Sequence, residues 1–274
     1  MNRSIVVLQN ASKQIHKKLI LKDINLTFNI GLTTAIVGHN GSGKSTLLKL
    51  IAGIYEPTKG TIERMTKRIS YVPEHFPENL RFKVKEYLYI MGKMRGLDSA
   101  VLQKNIHKYS GQFGIEAYLD TPLNNCSKGT KQKVGIILAL LLKSDILLLD
   151  EPLSGLDAES QNELAMQLKS IKSDHCIVFT AHESLLVDRL ADQVIQINKG
   201  KAESHLYSLT QGKQMVINIK VYDRSILHTL TGILEMKFEG QDTAVLIVSN
   251  HDSDRVLLQL LEQGCSILKL DERR

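Results

Sequence analysis

The chain has 274 residues, of which 43% are hydrophobic and 23% charged, which is ordinary for a globular protein. Its net charge is +6, but the basic residues are scattered, which is typical of a solvated surface. No stretch reaches the ~18 apolar residues of a membrane span, and the N-terminus lacks a signal-peptide core. Three widely spaced cysteines argue against a disulfide framework or a metal-ligand pattern and indicate a reducing compartment.

The first 30 residues show alternating apolar and polar positions. The two clearest stretches are Ser4–Leu8 and Ile24–Phe28. Alternation of this kind predicts strands of an antiparallel sheet with one solvated face.

The next segment carries the pattern Gly-x-x-x-x-Gly-Lys-Ser over residues 38–45, which is a P-loop. Thr33–Val37 predicts a strand before it, and Thr46–Ile51 a helix after it. The glycines let successive backbone N–H groups face a phosphate, and the helix adds its positive dipole end. Lys44 can reach the β- and γ-phosphates, and the Ser45 hydroxyl can bind Mg²⁺. We expect the nucleotide to be bound by Gly38, His39, Asn40, Gly41, Ser42, Gly43, Lys44, Ser45 and Thr46.

Three later apolar runs predict buried parallel strands that end in polar residues. They are Ile69–Val72 before Glu74, Ile146–Leu149 before Asp150 and Glu151, and Cys176–Thr180 before His182. Because ligands bind outside the carboxyl ends of parallel strands, these side chains should converge on the P-loop. Asp150 is then expected to hold Mg²⁺ through water, and Glu151 to act on the attacking water. The alternatives are a helix start at Asp150 and a structural role for His182.

Helical patterns dominate residues 75–142, with apolar positions three and four apart in Val84–Arg95 and Val101–Phe113. Residues 194–205 predict a hairpin that closes the main domain. From about residue 212 the pattern predicts the order βαββαβ, typical of a small ferredoxin-like domain. Its expected elements are Met215–Val221, Ile226–Leu234, Met236–Glu239, Ala244–Val248, Arg255–Gln263 and Ser266–Leu270.

With these elements in place, the run Cys-Ser-Lys-Gly-Thr-Lys-Gln at residues 126–132 resembles the signature motif of ABC transporter ATP-binding domains. The resemblance covers about residues 5–205. Ser127, Gly129 and Gln132 match the motif, whereas Lys128 departs from its commonest form and resembles the ABC-2-type exporters. The resemblance implies that Ser127, Lys128, Gly129 and Gln132 contact ATP held by the P-loop of a second domain. The alternative is a plain helix cap.

The same resemblance implies roles for three further elements. Ser154, Gly155, Leu156 and Asp157 match the D-loop, which crosses the dimer interface, and His182 matches the switch histidine that contacts the γ-phosphate. Glu74 stands where the family usually has the Q-loop glutamine, and its oxygen can still reach Mg²⁺. Ile15, with His16 next to it, stands where an aromatic residue usually stacks on adenine.

The predicted fold is an α/β P-loop NTPase with a mixed-sheet core, an antiparallel β subdomain and an α-helical subdomain, plus a small C-terminal α+β domain. The expected domains are 1–210, with the helical subdomain at about 75–142, and 211–274.

The resemblance implies an ATP-hydrolysing transporter subunit with ATP and Mg²⁺ as cofactors. Two copies, or one copy and a homologue, would close around two ATP and drive a separate membrane permease, which residues 75–95 would meet. The chain would lie in the cytoplasm on the inner face of the membrane, with a peptide, antibiotic or lipid as the exported molecule. The alternative is a soluble ABC ATPase acting on nucleic acid or ribosomes. It is disfavoured by the single P-loop and the lack of heptads, so nucleic acid is not an expected partner.

Overall fold

The computed structural model describes residues 3–77, 80–181, 184–206, 214–221, 227, 230, 232–240, 242–249 and 252–273. The chain folds into two compact units, Met1–Leu206 and Tyr207–Arg274.

The first unit contains two sheets and the helices that cover them. Its strands are β1 (Ser4–Ile15), β2 (Lys18–Asn29), β3 (Thr33–Val37), β4 (Lys59–Arg64), β5 (Ile69–Val72), β6 (Ile146–Leu149), β7 (Cys176–Ala181), β8 (Gln193–Asn198) and β9 (Lys201–Leu206). Its helices are α1 (Lys44–Ile51), α2 (Val84–Met94), α3 (Ser99–Gln112), α4 (Lys128–Leu141), α5 (Ala158–Ile171) and α6 (Ser184–Leu190). Short 3₁₀ turns occupy Glu116–Tyr118, Leu123–Asn125 and Lys172–Asp174.

Among the described residues, the core sheet has six strands in the order β5-β6-β7-β3-β8-β9, and only β9 runs antiparallel to its neighbour. Every residue of β6 is buried, as expected of a strand covered on both faces. Leu149 of β6 pairs with Phe179 of β7, and Val37 of β3 pairs with Ala181. The carboxyl ends of these three strands therefore meet at one edge, and the residues that follow them share that edge.

The second sheet is antiparallel, in the order β2-β1-β4. Both β1 and β2 span 12 residues, which makes them longer than the sequence pattern predicted. Asn10 and Asp23 each adopt a left-handed φ of 50°, and the register shifts around Ala11. These irregularities interrupt the strict alternation of side chains, so the apolar pattern stops before the strands do.

The three helices α2, α3 and α4 lie between β5 and β6 in the chain, as predicted for the helical subdomain. Gly92 of α2 is buried, and a Cβ there would come within 2.6 Å of the Leu102 side chain of α3. Glycine at this position therefore sets how closely the two helices pack.

The second unit consists of β10 (Gln214–Lys220), β11 (Ile233–Phe238), β12 (Thr243–Ser249), α7 (Ser253–Glu262) and β13 (Ser266–Arg273). Its antiparallel sheet has the order β11-β12-β10-β13, so the first strand lies between the third and the fourth. The helix predicted over 226–234 is wrong at its end, because Ile233 pairs with Val248 inside β11. Most of its earlier residues lie outside the described part of the chain.

Candidate nucleotide-binding and hydrolysis site

The P-loop connects the end of β3 to the start of α1. Gly38, Gly41 and Gly43 have φ values of 154°, 75° and 111°. A Cβ on Gly38 would lie 2.6 Å from the Ile197 carbonyl oxygen, and one on Gly43 would lie 2.9 Å from Leu21. These two positions therefore require glycine, and the loop keeps the concave backbone that binds phosphate.

A cavity of about 700 Å³ opens beside this loop. Besides Glu74, Glu151 and Ser154, it is lined by five residues of the motif and by the residue that follows it, namely Asn40, Gly41, Gly43, Lys44, Ser45 and Thr46. The structure thus brings the P-loop together with the predicted metal-side and water-activating carboxylates. Gly38, His39 and Ser42, which are also described, lie outside this lining.

The strand β2 supplies two lining residues, Lys18 and Ile20, that the sequence analysis did not single out. Ile15, expected on the adenine side, pairs with Lys18 across the β1–β2 hairpin. His16 lies in the turn of that hairpin with a φ of 46°. A short turn at this point brings residues of the second strand to the cavity, and the contact of Ile15 and His16 with adenine remains a prediction.

Lys44 is 6% exposed, and its side chain turns back toward the start of the P-loop. Its Nζ donates a hydrogen bond to the Gly38 carbonyl oxygen at 2.9 Å and stands 3.7 Å from Oε1 of Glu151. An ammonium group beside the backbone of a P-loop is well placed to bind the terminal phosphates of a nucleotide. The residues present therefore fit a nucleoside triphosphate.

Asp150 is 2% exposed, and three hydroxyl groups donate hydrogen bonds to its carboxylate. Ser45 Oγ and Thr180 Oγ1 reach Oδ1 at 3.1 and 2.8 Å, and Tyr71 Oη reaches Oδ2 at 3.0 Å. Burial and the charge of Asp150 hold the pKa of Tyr71 well above its usual range, so its hydroxyl remains a donor. The buried carboxylate is therefore fixed in orientation.

The Ser45–Asp150 pair also fits the predicted magnesium site. Within the described ranges, no group of three or more His, Cys, Asp or Glu residues could hold a metal ion. A cation at this pair would complete its shell with phosphate oxygens and water, which is the coordination that Mg²⁺ prefers. Glu74 lines the same cavity as Ser45.

Glu151 has a left-handed φ of 48°, which is rare for a residue with a side chain. Its backbone N–H donates to Thr180 Oγ1 at 2.7 Å, and its carboxylate lies beside Lys44. Such strain persists where the surrounding structure fixes it, and it is concentrated at functional sites. His182, the predicted switch residue, lies outside the described residues.

The signature segment begins the helix α4. Ser127 is its N-cap and accepts the Thr130 N–H at 3.1 Å. Lys128 Nζ donates to Ser154 Oγ at 3.2 Å, and a Cβ on Gly129 would lie 2.4 Å from the Gly155 carbonyl oxygen. The signature segment and the predicted D-loop are therefore in direct contact within one chain.

The remaining predicted residues differ in their exposure. Asp157 caps α5 by accepting the Ser160 N–H, and Lys133 donates to it at 2.7 Å, so its pKa is held well below its usual range. Leu156 and Gln132 are only 8% and 2% exposed, so both side chains pack inside the chain. Contacts of Gln132 and the D-loop with a second domain remain predictions.

Comparisons with known proteins place this geometry in a family. A family model described as ABC transporter matches residues 21–154. ABC transporter ATP-binding protein NatA of Bacillus subtilis (strain 168) is 32% identical over 216 residues, which cover 72% of this chain and 87% of NatA.

Two solved structures share the fold. One, described as the ATP binding subunit of an ABC transporter, has a TM-score of 0.69 and 25% identity. The match covers 74% of this chain and 90% of the chain of that structure. The other is cbiO1 from Clostridium perfringens, described as part of the ABC transporter complex cbiONQ. It has a TM-score of 0.60 and 26% identity and covers 73% of this chain and 87% of its own.

None of the described helices is long and apolar enough to cross a membrane. The P-loop, the buried Asp150 and the neighbouring Glu151 lie together at the carboxyl edge of the core sheet. The chain belongs to the family of ABC transporter ATP-binding proteins, and it is an ATPase whose hydrolysis is coupled to transport.

Proposed function

We propose that this chain works as one of two ATPase subunits that close around two ATP molecules and drive a separate integral membrane permease. One observation carries the proposal. The cavity holds the P-loop and Glu151, yet none of the signature residues at 126–132, all of them described, lines it. The signature segment therefore lies outside the lining of its own chain's cavity, which suits contact with the nucleotide of a second copy or a homologous subunit.

The chemistry in each site follows from the residues that meet there. Lys44 and the P-loop amides stabilise the charge that develops on the phosphates. Ser45 and Asp150, with Glu74 in the lining of the same cavity, would hold Mg²⁺, and the bound cation would neutralise negative charge on the phosphates. Glu151 orients and accepts a proton from the attacking water. By resemblance, His182 senses the γ-phosphate.

A surface of the helical subdomain suits the permease. On α2 and the segment before it, Phe82, Ile90 and Met94 are 46%, 40% and 75% exposed. Next to these residues in the chain, Phe76 packs edge-to-face on Tyr87 with ring centroids 5.6 Å apart, and this ring contact holds the segment before α2 against the helix. Exposed apolar groups on a helical face are typical of a protein interface. We place the contact with the permease here and the chain in the cytoplasm on the inner face of the membrane.

The transported molecule contacts the permease, so this chain indicates it only indirectly. Lys128 in the signature and the C-terminal α+β unit favour an exporter of peptides, antibiotics or lipids. This part of the proposal depends on analogy at the level of the fold.

The substitution Glu151→Gln tests the proposed hydrolysis. We expect MgATP affinity to stay within about twofold, because the P-loop is intact, while turnover falls by roughly 10²–10⁴ through loss of the general base. Glu159→Gln makes the same chemical change on the exposed first turn of α5 and should leave turnover unchanged. Near-normal turnover of Glu151→Gln would remove Glu151 from the assigned role.

A further inference from the structure

Thr180 connects the two carboxylates of the site through one hydroxyl group. It lies in β7, where it pairs with Ile36 of the P-loop strand, and it is fully buried. Its Oγ1 donates a hydrogen bond to Asp150 Oδ1 at 2.8 Å and accepts one from the Glu151 N–H at 2.7 Å.

The two hydrogen bonds use both capacities of a hydroxyl group, which has one proton to donate and two lone pairs to accept. The donated bond fixes the oxygen of Asp150 that also contacts Ser45. The accepted bond fixes the backbone of Glu151 at its left-handed φ of 48°. Neither valine nor alanine can form either bond, whereas serine can form both.

We propose that Thr180 is a positioning residue for hydrolysis, which sets the direction of the Glu151 carboxylate relative to the metal-side carboxylate of Asp150. The inference depends on the role proposed above for Glu151. A backbone amide at a strained turn determines where the side chain of that residue points. A displacement of the base by about 1 Å is enough to lower turnover about 100-fold, and nucleotide binding is not affected.

Tyr71 provides a matched control for this inference. Its hydroxyl donates to Asp150 Oδ2 at 3.0 Å, the oxygen of that carboxylate that Thr180 does not contact. Tyr71→Phe therefore removes one hydrogen bond from the same carboxylate and leaves the Glu151 amide held. Thr180→Val removes a bond of the same kind and frees that amide as well.

The test measures single-turnover hydrolysis and MgATP affinity for Thr180→Val, Thr180→Ser and Tyr71→Phe, each alone and combined with Glu151→Gln. We expect Thr180→Val to lower the hydrolysis rate about 10- to 100-fold with affinity within about twofold. Thr180→Ser should recover the rate to within about threefold of the parent. In the Glu151→Gln background, Thr180→Val should cost less than about twofold, because the base it positions is gone.

The opposite pattern overturns the inference. An unchanged hydrolysis rate for Thr180→Val would contradict it. An equal fall in the hydrolysis rate from Thr180→Val with and without Glu151→Gln would also contradict it, because Thr180 would then act independently of Glu151. If Thr180→Val does not fold, as judged by thermal unfolding, Thr180→Ala leaves room for water and carries the same expectations. Turnover that survives in Glu151→Gln alone refutes the proposed role of Glu151 instead, so the two failures are distinguishable.

Discussion

Because the signature segment contacts the D-loop, we predict that the substitution Gly129→Ala lowers ATP turnover. The added Cβ would lie 2.4 Å from the Gly155 carbonyl oxygen, about 1 Å inside an ordinary contact of ~3.4 Å. The clashing atom belongs to the backbone, so either the start of α4 or the D-loop must move by that amount. Gly135→Ala is the matched control on the same helix, because its Cβ would meet the Val72 side chain at 3.3 Å.

We expect the substitution to act mainly on catalysis. Overpacking costs about 1–3 kcal/mol, and replacing glycine in a helix returns about 0.5–1 kcal/mol, so the net loss of stability is about 0–2.5 kcal/mol. That corresponds to a fall of at most about 10 °C in Tm. A displacement of about 1 Å at the signature segment should lower ATP turnover about 100-fold, since alignment errors of that size are costly.

The assay is steady-state ATP hydrolysis at saturating MgATP, with thermal unfolding of the same preparations. Gly135→Ala should retain turnover to within about threefold, because a side chain can shift where a backbone oxygen cannot. If Gly129→Ala also retains turnover to within about threefold while folding normally, the close approach of the two segments does not control catalysis, and the reasoning fails.

Three further predictions concern binding, stability and thiol chemistry. Lys44→Ala removes a charge-assisted contact to phosphate, so MgATP affinity measured by titration should fall about 10- to 100-fold, and an unchanged affinity would contradict the role of Lys44. Asp157→Ala removes the N-cap of α5 and should cost about 1 kcal/mol in unfolding experiments. Because its pKa is lowered in the folded chain, the stabilisation by Asp157 is present above about pH 4 and is lost as the pH falls further, so the difference between variant and parent should shrink in acid. Burial raises the pKa of Cys176 to about 12, so alkylation at pH 8 should reach it only after unfolding, and rapid labelling of the folded chain would contradict its burial.

The sequence was most informative where chemistry depends on local spacing. The P-loop pattern predicted the loop, its flanking strand and its helix, and the buried run before Asp150 predicted a central strand. Both signals follow from local backbone requirements, namely glycine at positive φ and continuous apolar residues in a strand covered on both faces.

The partners of Asp150 were missed for a physical reason. Tyr71 and Thr180 lie inside their strands, where their residue types suit a sheet and give no separate signal. Their roles depend on the order of strands β5, β6 and β7, which the residue pattern alone did not provide. Inward-facing hydroxyls near the carboxyl end of a buried strand were the only available indication.

Two other differences come from local ambiguity. The turn at His16 lets β2 approach the cavity, so Lys18 and Ile20 line it, which spacing from the P-loop could not reveal. The apolar pair Ile233 and Leu234 suits a helix or a strand equally. In the structure these residues form part of the strand β11, which pairs with β12. In both places tertiary contacts determined what the local pattern left open.

Purification of the Glu151→Gln chain from its native membranes tests the central claim most directly. With MgATP present, the proposed function predicts that a polytopic membrane protein and a second ATPase subunit, identical or homologous, co-purify with it. Their recovery should fall when Lys44→Ala is added, because nucleotide binding closes the pair. A soluble complex without a membrane protein, or one that carries RNA or DNA, would contradict the account.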